Sequence, residues 1–134
     1  MKSLLNVLAL VAVVGTNVVF GADETMWKRV QRLDPGARVK ITLEGAAPVE
    51  RYFVQVNDTK LIVLNLSAPD LPKRQLLNMA IDNPSWIAGT SQTTYRDNSL
   101  RIGPDGLFVK DKKVAELNQV VEWIPREKVA AVQK

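Results

Sequence analysis

The chain has no cysteine and no histidine among its 134 residues. The first absence removes disulfide frameworks, thiol nucleophiles and thiolate metal sites. The second removes Ser-His-Asp triads, imidazole zinc sites and histidine-ligated haem. Aromatic residues are scarce at 6%, and charge of neither sign dominates: 18 Lys and Arg stand against 14 Asp and Glu, a formal balance of +4. A surplus that small implies a solvated surface and points to no particular partner. There is no internal repeat, no low-complexity tract and no linker long enough to divide the chain.

One long apolar run is present, at the N-terminus. Lys2 gives it a positive start, Ser3 to Ala22 carries no charge, and Leu4 to Val14 is interrupted only by Asn6. This is the pattern of a secretory leader. Val19 and Gly21 bracket Phe20, so the small-x-small rule sets the expected cut after Gly21. Residues 1–21 are then a signal peptide and residues 22–134 a single domain. The alternative is an inner-membrane anchor formed by uncleaved residues 4–22; Asn6, Thr16 and Asn17 weigh against it, because a span needs about 20 predominantly apolar residues. No cysteine follows the run, which argues against a lipoprotein. The expected location is periplasmic or secreted, with no integral membrane span after cleavage. Without disulfides an exported domain must rely on a packed core, and a chain of this length can supply one.

Along the expected domain, Met26, Val30 and Leu33 recur at helical spacing and predict a helix over 23–33, stopped by Asp34-Pro35-Gly36. Arg38 to Leu43 alternates polar and apolar residues and reads as a half-buried strand. Strands are also expected at Arg51–Val56 and Lys60–Leu66, joined by the turn Asn57-Asp58-Thr59. Pro72 fits the first turn of a helix over 71–82 that Asn83-Pro84 ends. Residues 85–98 are rich in Ser, Thr, Gln and Asn and read as a long surface loop. Gly103-Pro104-Asp105-Gly106 joins two arms of a hairpin, Leu100–Ile102 and Leu107–Val109. Val120–Ile124 reads as a strand ending at Pro125, and Val129–Val132 as a closing strand.

Two pieces of this pattern carry a resemblance. Leu33 to Leu43 reads L-x-P-G-x-x-V-x-I-x-L, and Ile124 to Val132 reads I-P-R-E-x-V-x-x-V. With the strand order, they resemble the small Sm-like or SH3-like β-barrels of exported bacterial proteins of unknown function. The resemblance covers residues 23–66 and 120–133. It implies a mainly β domain: a small antiparallel five-stranded barrel with an N-terminal helix, its last two strands separated by a 3₁₀ turn. Residues 67–119 are then an inserted helix, loop and hairpin segment. RNA-binding members carry an Arg-Gly pair where the fourth strand ends; Pro125-Arg126-Glu127 stands there instead, so no nucleic-acid partner is implied.

Candidate chemistry is sparse. Asp97-Asn98 and Asp105-Gly106 could offer oxygen ligands to a cation, but the Asp-x-Asp-x-Asp-Gly spacing of a calcium loop is missing, and they read as turn formers. Ser67, Ser85, Ser91 and Ser99 lack a Gly-x-Ser-x-Gly elbow and would need a lysine base. Lys110, Lys112 and Lys113, with Lys28, Arg29 and Arg32, read as solvated faces without the interleaved aromatics of a stacking platform. Asn57-Asp58-Thr59 and Asn65-Leu66-Ser67 match the glycosylation acceptor pattern by coincidence. Trp27 and Trp123 are expected in the core. Trp86, with Tyr95 in the same polar stretch, is the candidate partner contact. No catalytic, cofactor or metal residue is assigned. The expected function is a non-enzymatic binding or assembly role in the cell envelope, through a protein partner or self-association. The alternatives are a hydrolase using a Ser/Lys or carboxylate pair, and a module binding an anionic polymer or lipid.

Overall fold

The computed structural model describes residues 18–89, 95–97 and 100–134, with backbone alone for 18–23 and 95–97. The expected leader therefore lies, apart from its last four residues, outside the described residues. No described helix is long and apolar enough to cross a membrane.

The chain divides into two compact units, residues 1–32 and 33–134. The first holds helix α1, Val18–Val30. It begins earlier than the apolar spacing indicates and ends with Lys28 and Arg29 in its last turn, where cations oppose the negative end of the helix dipole. Trp27 and Val30, one turn apart, are its buried side chains, and Met26 is half-buried.

In the second unit, β1 (Arg38–Leu43), β2 (Val49–Val56) and β3 (Lys60–Leu64) form the expected antiparallel meander. Asn57 makes the β2–β3 turn: its Oδ1 accepts hydrogen bonds from the Thr59 and Lys60 amides at 2.9 and 2.8 Å. Helices α2 (Lys73–Asp82) and α3 (Pro84–Ala88) follow, then the strands β4 (Tyr95–Asp97), β5 (Leu100–Gly103), β6 (Gly106–Val109) and β7 (Lys112–Ala115). Helix α4 (Leu117–Val120), strand β8 (Val121–Pro125), the 3₁₀ turn Arg126–Lys128 and strand β9 (Val129–Gln133) complete the chain.

The five-stranded antiparallel sheet has the order β8-β3-β2-β1-β9, and the four-stranded one β4-β5-β6-β7. In the first, the two edge strands are consecutive in sequence and only the 3₁₀ turn joins them. Four strand spacings of about 4.8 Å put the edges of a flat sheet about 19 Å apart. Three residues of 3₁₀ turn rise only about 2 Å each, so the sheet is strongly coiled. The turn is pinned at both ends: the Arg126 amide donates to the Thr59 carbonyl at 2.8 Å, and the Lys128 carbonyl accepts from the Glu44 amide at 3.0 Å. Among the described residues no ladder joins β8 to β9, so the expected closed barrel is replaced by a coiled sheet with two open edges.

A second correction concerns residues 67–119. Their polar middle is not one long loop: α3 and β4 fall within it, and the hairpin extends into a four-stranded sheet. Nor is the segment an appendage. One core joins Val54, Ile62, Leu64 and Val121 of the five-stranded sheet to Leu76, Met79, Ile87, Leu100, Ile102 and Leu107 of the inserted segment. The opposite face of the coiled sheet is apolar as well, with Val39, Ile41, Phe53, Leu61, Val63, Ile124 and Val129 buried. β3 serves both faces, which is why its sequence is nearly continuous in apolar residues rather than alternating.

Candidate functional site

The cover provided by residues 67–119 ends partway across the sheet. One cross-strand row runs Arg38, Tyr52, Leu64, Val121, and a second runs Gln55, Ile62, Trp123. Leu64 and Val121 are fully buried, Tyr52 is half-buried and Arg38 is exposed, so the margin of the cover falls at Tyr52. Beyond it the face is polar, and Arg38 Nε meets Glu50 Oε2 at 3.5 Å between largely solvated side chains.

α3 sits along this margin, packed on β2 and β8. Its far end is fixed by the Trp123 indole, whose Nε1 donates to the Ala88 carbonyl at 2.8 Å. Tyr52, Leu77, Trp86, Ala88 and Trp123 are all partly buried against the shared core. The bulge between Phe53 and Gln55 in β2 turns both Val54 and Gln55 toward the inserted segment. There the Gln55 Oε1 is buried without a hydrogen-bond partner among the described residues, an arrangement that costs about 1–3 kcal/mol. At the C-terminal end of α2, Ile81 is 54% exposed. It lies over the turn at Gly36, its Cγ1 2.6 Å from where a Cβ on that glycine would stand.

Trp86 is thus not an anchor on a free loop. It belongs to α3 and spends part of its surface on the core. Tyr95 stands in β4 opposite Ile102, and its side chain lies outside the described residues. The start and stop signals of α2 do not single out Ile81. Its place beside Asp82, off the line of Leu76, Met79 and Ala80, is the signal that marks it as outward-facing.

Several charged side chains are engaged in local structure. Arg51 Nε donates to Glu122 Oε1 at 2.7 Å, bridging β2 and β8 across β3, with side chains 16% and 29% exposed. Arg101 stacks on the Phe108 ring with Cζ 3.9 Å from its centroid, and its Nη1 reaches both Asp105 oxygens at 3.1 Å. Lys113 pairs with Glu116, while Lys110 and Lys112 are exposed at the β6–β7 tip. Lys28, Arg29 and Arg32 are exposed in the other compact unit. Asp105, expected to form a turn, also holds Arg101. Ser67 Oγ donates to Asn65 Oδ1 at 2.7 Å and Thr59 Oγ1 to Asn57 Oδ1 at 3.1 Å. Both Asn-x-Ser/Thr triplets are therefore used for turn chemistry. Ser91, Asn98 and Ser99 lie outside the described residues. Among the described residues no three carboxylates converge as a metal site would require. Comparison with protein-family models, curated proteins and solved structures returns no match for this chain.

Proposed function

We propose that this chain is an exported, non-enzymatic binding or assembly protein of the cell envelope, built on a Sm-like or SH3-like sheet, and that it meets a protein partner along the margin formed by α2 and α3. Support for the sheet family comes from the strand order and from the 3₁₀ turn between β8 and β9. Support for a binding role comes from how the reactive side chains are spent. Four carboxylates are held by an arginine or lysine in four separate places, which is structural use rather than acid and base facing one cleft.

The carrying observation is Ile81: a large apolar side chain, 54% exposed, on the helix next to the one that holds half-buried Trp86. Large apolar and aromatic side chains that become buried on association carry much of the energy of a protein contact. Burial of Ile81 on association would contribute on the order of 1 kcal/mol.

The test is crosslinking capture from the envelope fraction with the wild-type chain and with Ile81→Ser. A discrete partner whose yield falls in the variant supports the reading. Equal recovery by both chains removes Ile81 from the contact, and hydrolysis of generic ester, peptide or glycoside substrates by the pure protein refutes a non-enzymatic role.

A further inference from the structure

Among the described residues the two sheets present four edge strands, and an edge is a row of unpaired backbone groups that natural proteins blunt with charge, proline or a bulge. β4 carries Arg96 and Asp97, β7 carries Lys112 and Lys113, and β8 carries Glu122 and ends at Pro125. β9 alone carries neither charge nor proline, reading Val129-Ala130-Ala131-Val132-Gln133, and its one such device is the bulge at Ala130. Ala130 and Ala131 are exposed and offer almost no side-chain bulk against an approaching strand.

β9 is also a palindrome over Val129 to Val132. An antiparallel partner of the same sequence, centred between Ala130 and Ala131, sets Val129 against Val132 of the other copy and Ala130 against its Ala131. Residues placed opposite one another in an antiparallel pair share a face, and residues three apart in a regular strand do not. The bulge in β9 resolves this. Val132 pairs with Ile41 and Ala131 with Thr42, but Leu43 pairs with Val129, so Ala130 is skipped. Val129 and Val132 therefore lie on the same side as Ile41 and Leu43, and the self-paired register extends one apolar face across two copies.

We propose that β9 pairs antiparallel with β9 of a second copy, about a two-fold axis between Ala130 and Ala131, joining two five-stranded sheets into one. The occupant is a second copy because the edge is complementary to itself in sequence and in face, as an isologous contact requires. A contact of one strand pair is well below the about 1,200 Å² of a standard stable interface, so the dimer is a weak one whose population depends on concentration. This surface and its occupant differ from those at the α2–α3 margin, and a monomeric chain would leave that reading standing.

Sedimentation velocity of the purified chain across a concentration series tests it, with far-UV circular dichroism as the control for folding. The wild type is expected to pass from monomer to dimer. Ala130→Glu brings two like charges to the axis and Ala131→Lys does the same, and each should weaken dimerisation about tenfold. The double variant sets the glutamate of one copy against the lysine of the other and should recover the wild-type constant. A chain monomeric at every concentration overturns the proposal, and so does a dimer indifferent to both substitutions. Growth past the dimer overturns it too, since that needs pairing between unlike edges. Single variants that lose dimer without rescue in the double variant refute the register.

Discussion

At Gly36 the backbone φ is +91°, a left-handed value that side-chain-bearing residues rarely adopt, and a Cβ there would stand 2.6 Å from Ile81 Cγ1. These are separable costs. Ile81 is largely exposed and can swing aside, whereas the φ value is fixed by the chain on both sides: the Gly36 amide donates to the Phe53 carbonyl at 2.7 Å, and the Phe53 amide to the Ala37 carbonyl at 2.8 Å. The backbone term should dominate. Gly36→Ala is expected to lose about 1–2 kcal/mol in urea unfolding, and most of that loss should persist in an Ile81→Ala background, a double-mutant comparison that apportions the two terms. The same attention to single side chains explains why Trp86 was half legible. A tryptophan in a polar stretch is a sound marker of surface. The sequence around it conceals that Ile87, fully buried, pins α3 to the core and draws its neighbour partly inward.

Individual elements were readable where their periodicity is local and unreadable where capping decides. β1 is the clear case: Val39 and Ile41 are buried and Arg38 and Lys40 exposed, as strict alternation requires. Asn83-Pro84 was legible only in part. It ends α2 as expected, but the same proline occupies the first turn of α3, where its missing N–H costs nothing. α4 is a single turn too short for an apolar stripe. Its signal is the capping box, in which the Gln119 side chain accepts from the Glu116 amide at 2.9 Å. The β6–β7 hairpin shows an element whose sequence and geometry disagree. Its two-residue turn puts Lys110 at φ 51° and Asp111 at φ 66°, the mirror-image turn that favours Asn-Gly. Replacing the pair by Lys110→Asn with Asp111→Gly should raise stability by about 0.5–1 kcal/mol, measured as a higher denaturation midpoint with an unchanged denaturant slope. A fall in stability would mean that the lysine or aspartate side chain holds the tip.

At the scale of residues 33–134, the resemblance to a small barrel and the observed packing lead to opposite expectations about the inserted segment. Were 67–119 an ornament on a self-sufficient sheet, replacing it with a short linker between Leu66 and Val120 would leave a smaller folded domain. The core argues otherwise. Val54, Ile62, Leu64 and Val121 lie under the segment, each no more than 2% exposed, and uncovering them would return on the order of 1.5–3 kcal/mol per side chain to water. Four such residues approach the whole stability of a domain, typically about 5–15 kcal/mol. The sequence could not reveal this, because the face of β3 that needs cover is indistinguishable, in a run of apolar residues, from the face that lines the coil. The shortened chain is expected to be insoluble or to unfold without a cooperative transition, whereas the complete unit should melt in one step with both sheets lost together. Hydrogen exchange followed separately in β3 and in β5–β6 distinguishes the cases: matched protection free energies mean one cooperative core, and early opening of β5–β6 with β3 still protected would restore the view of the segment as an addition.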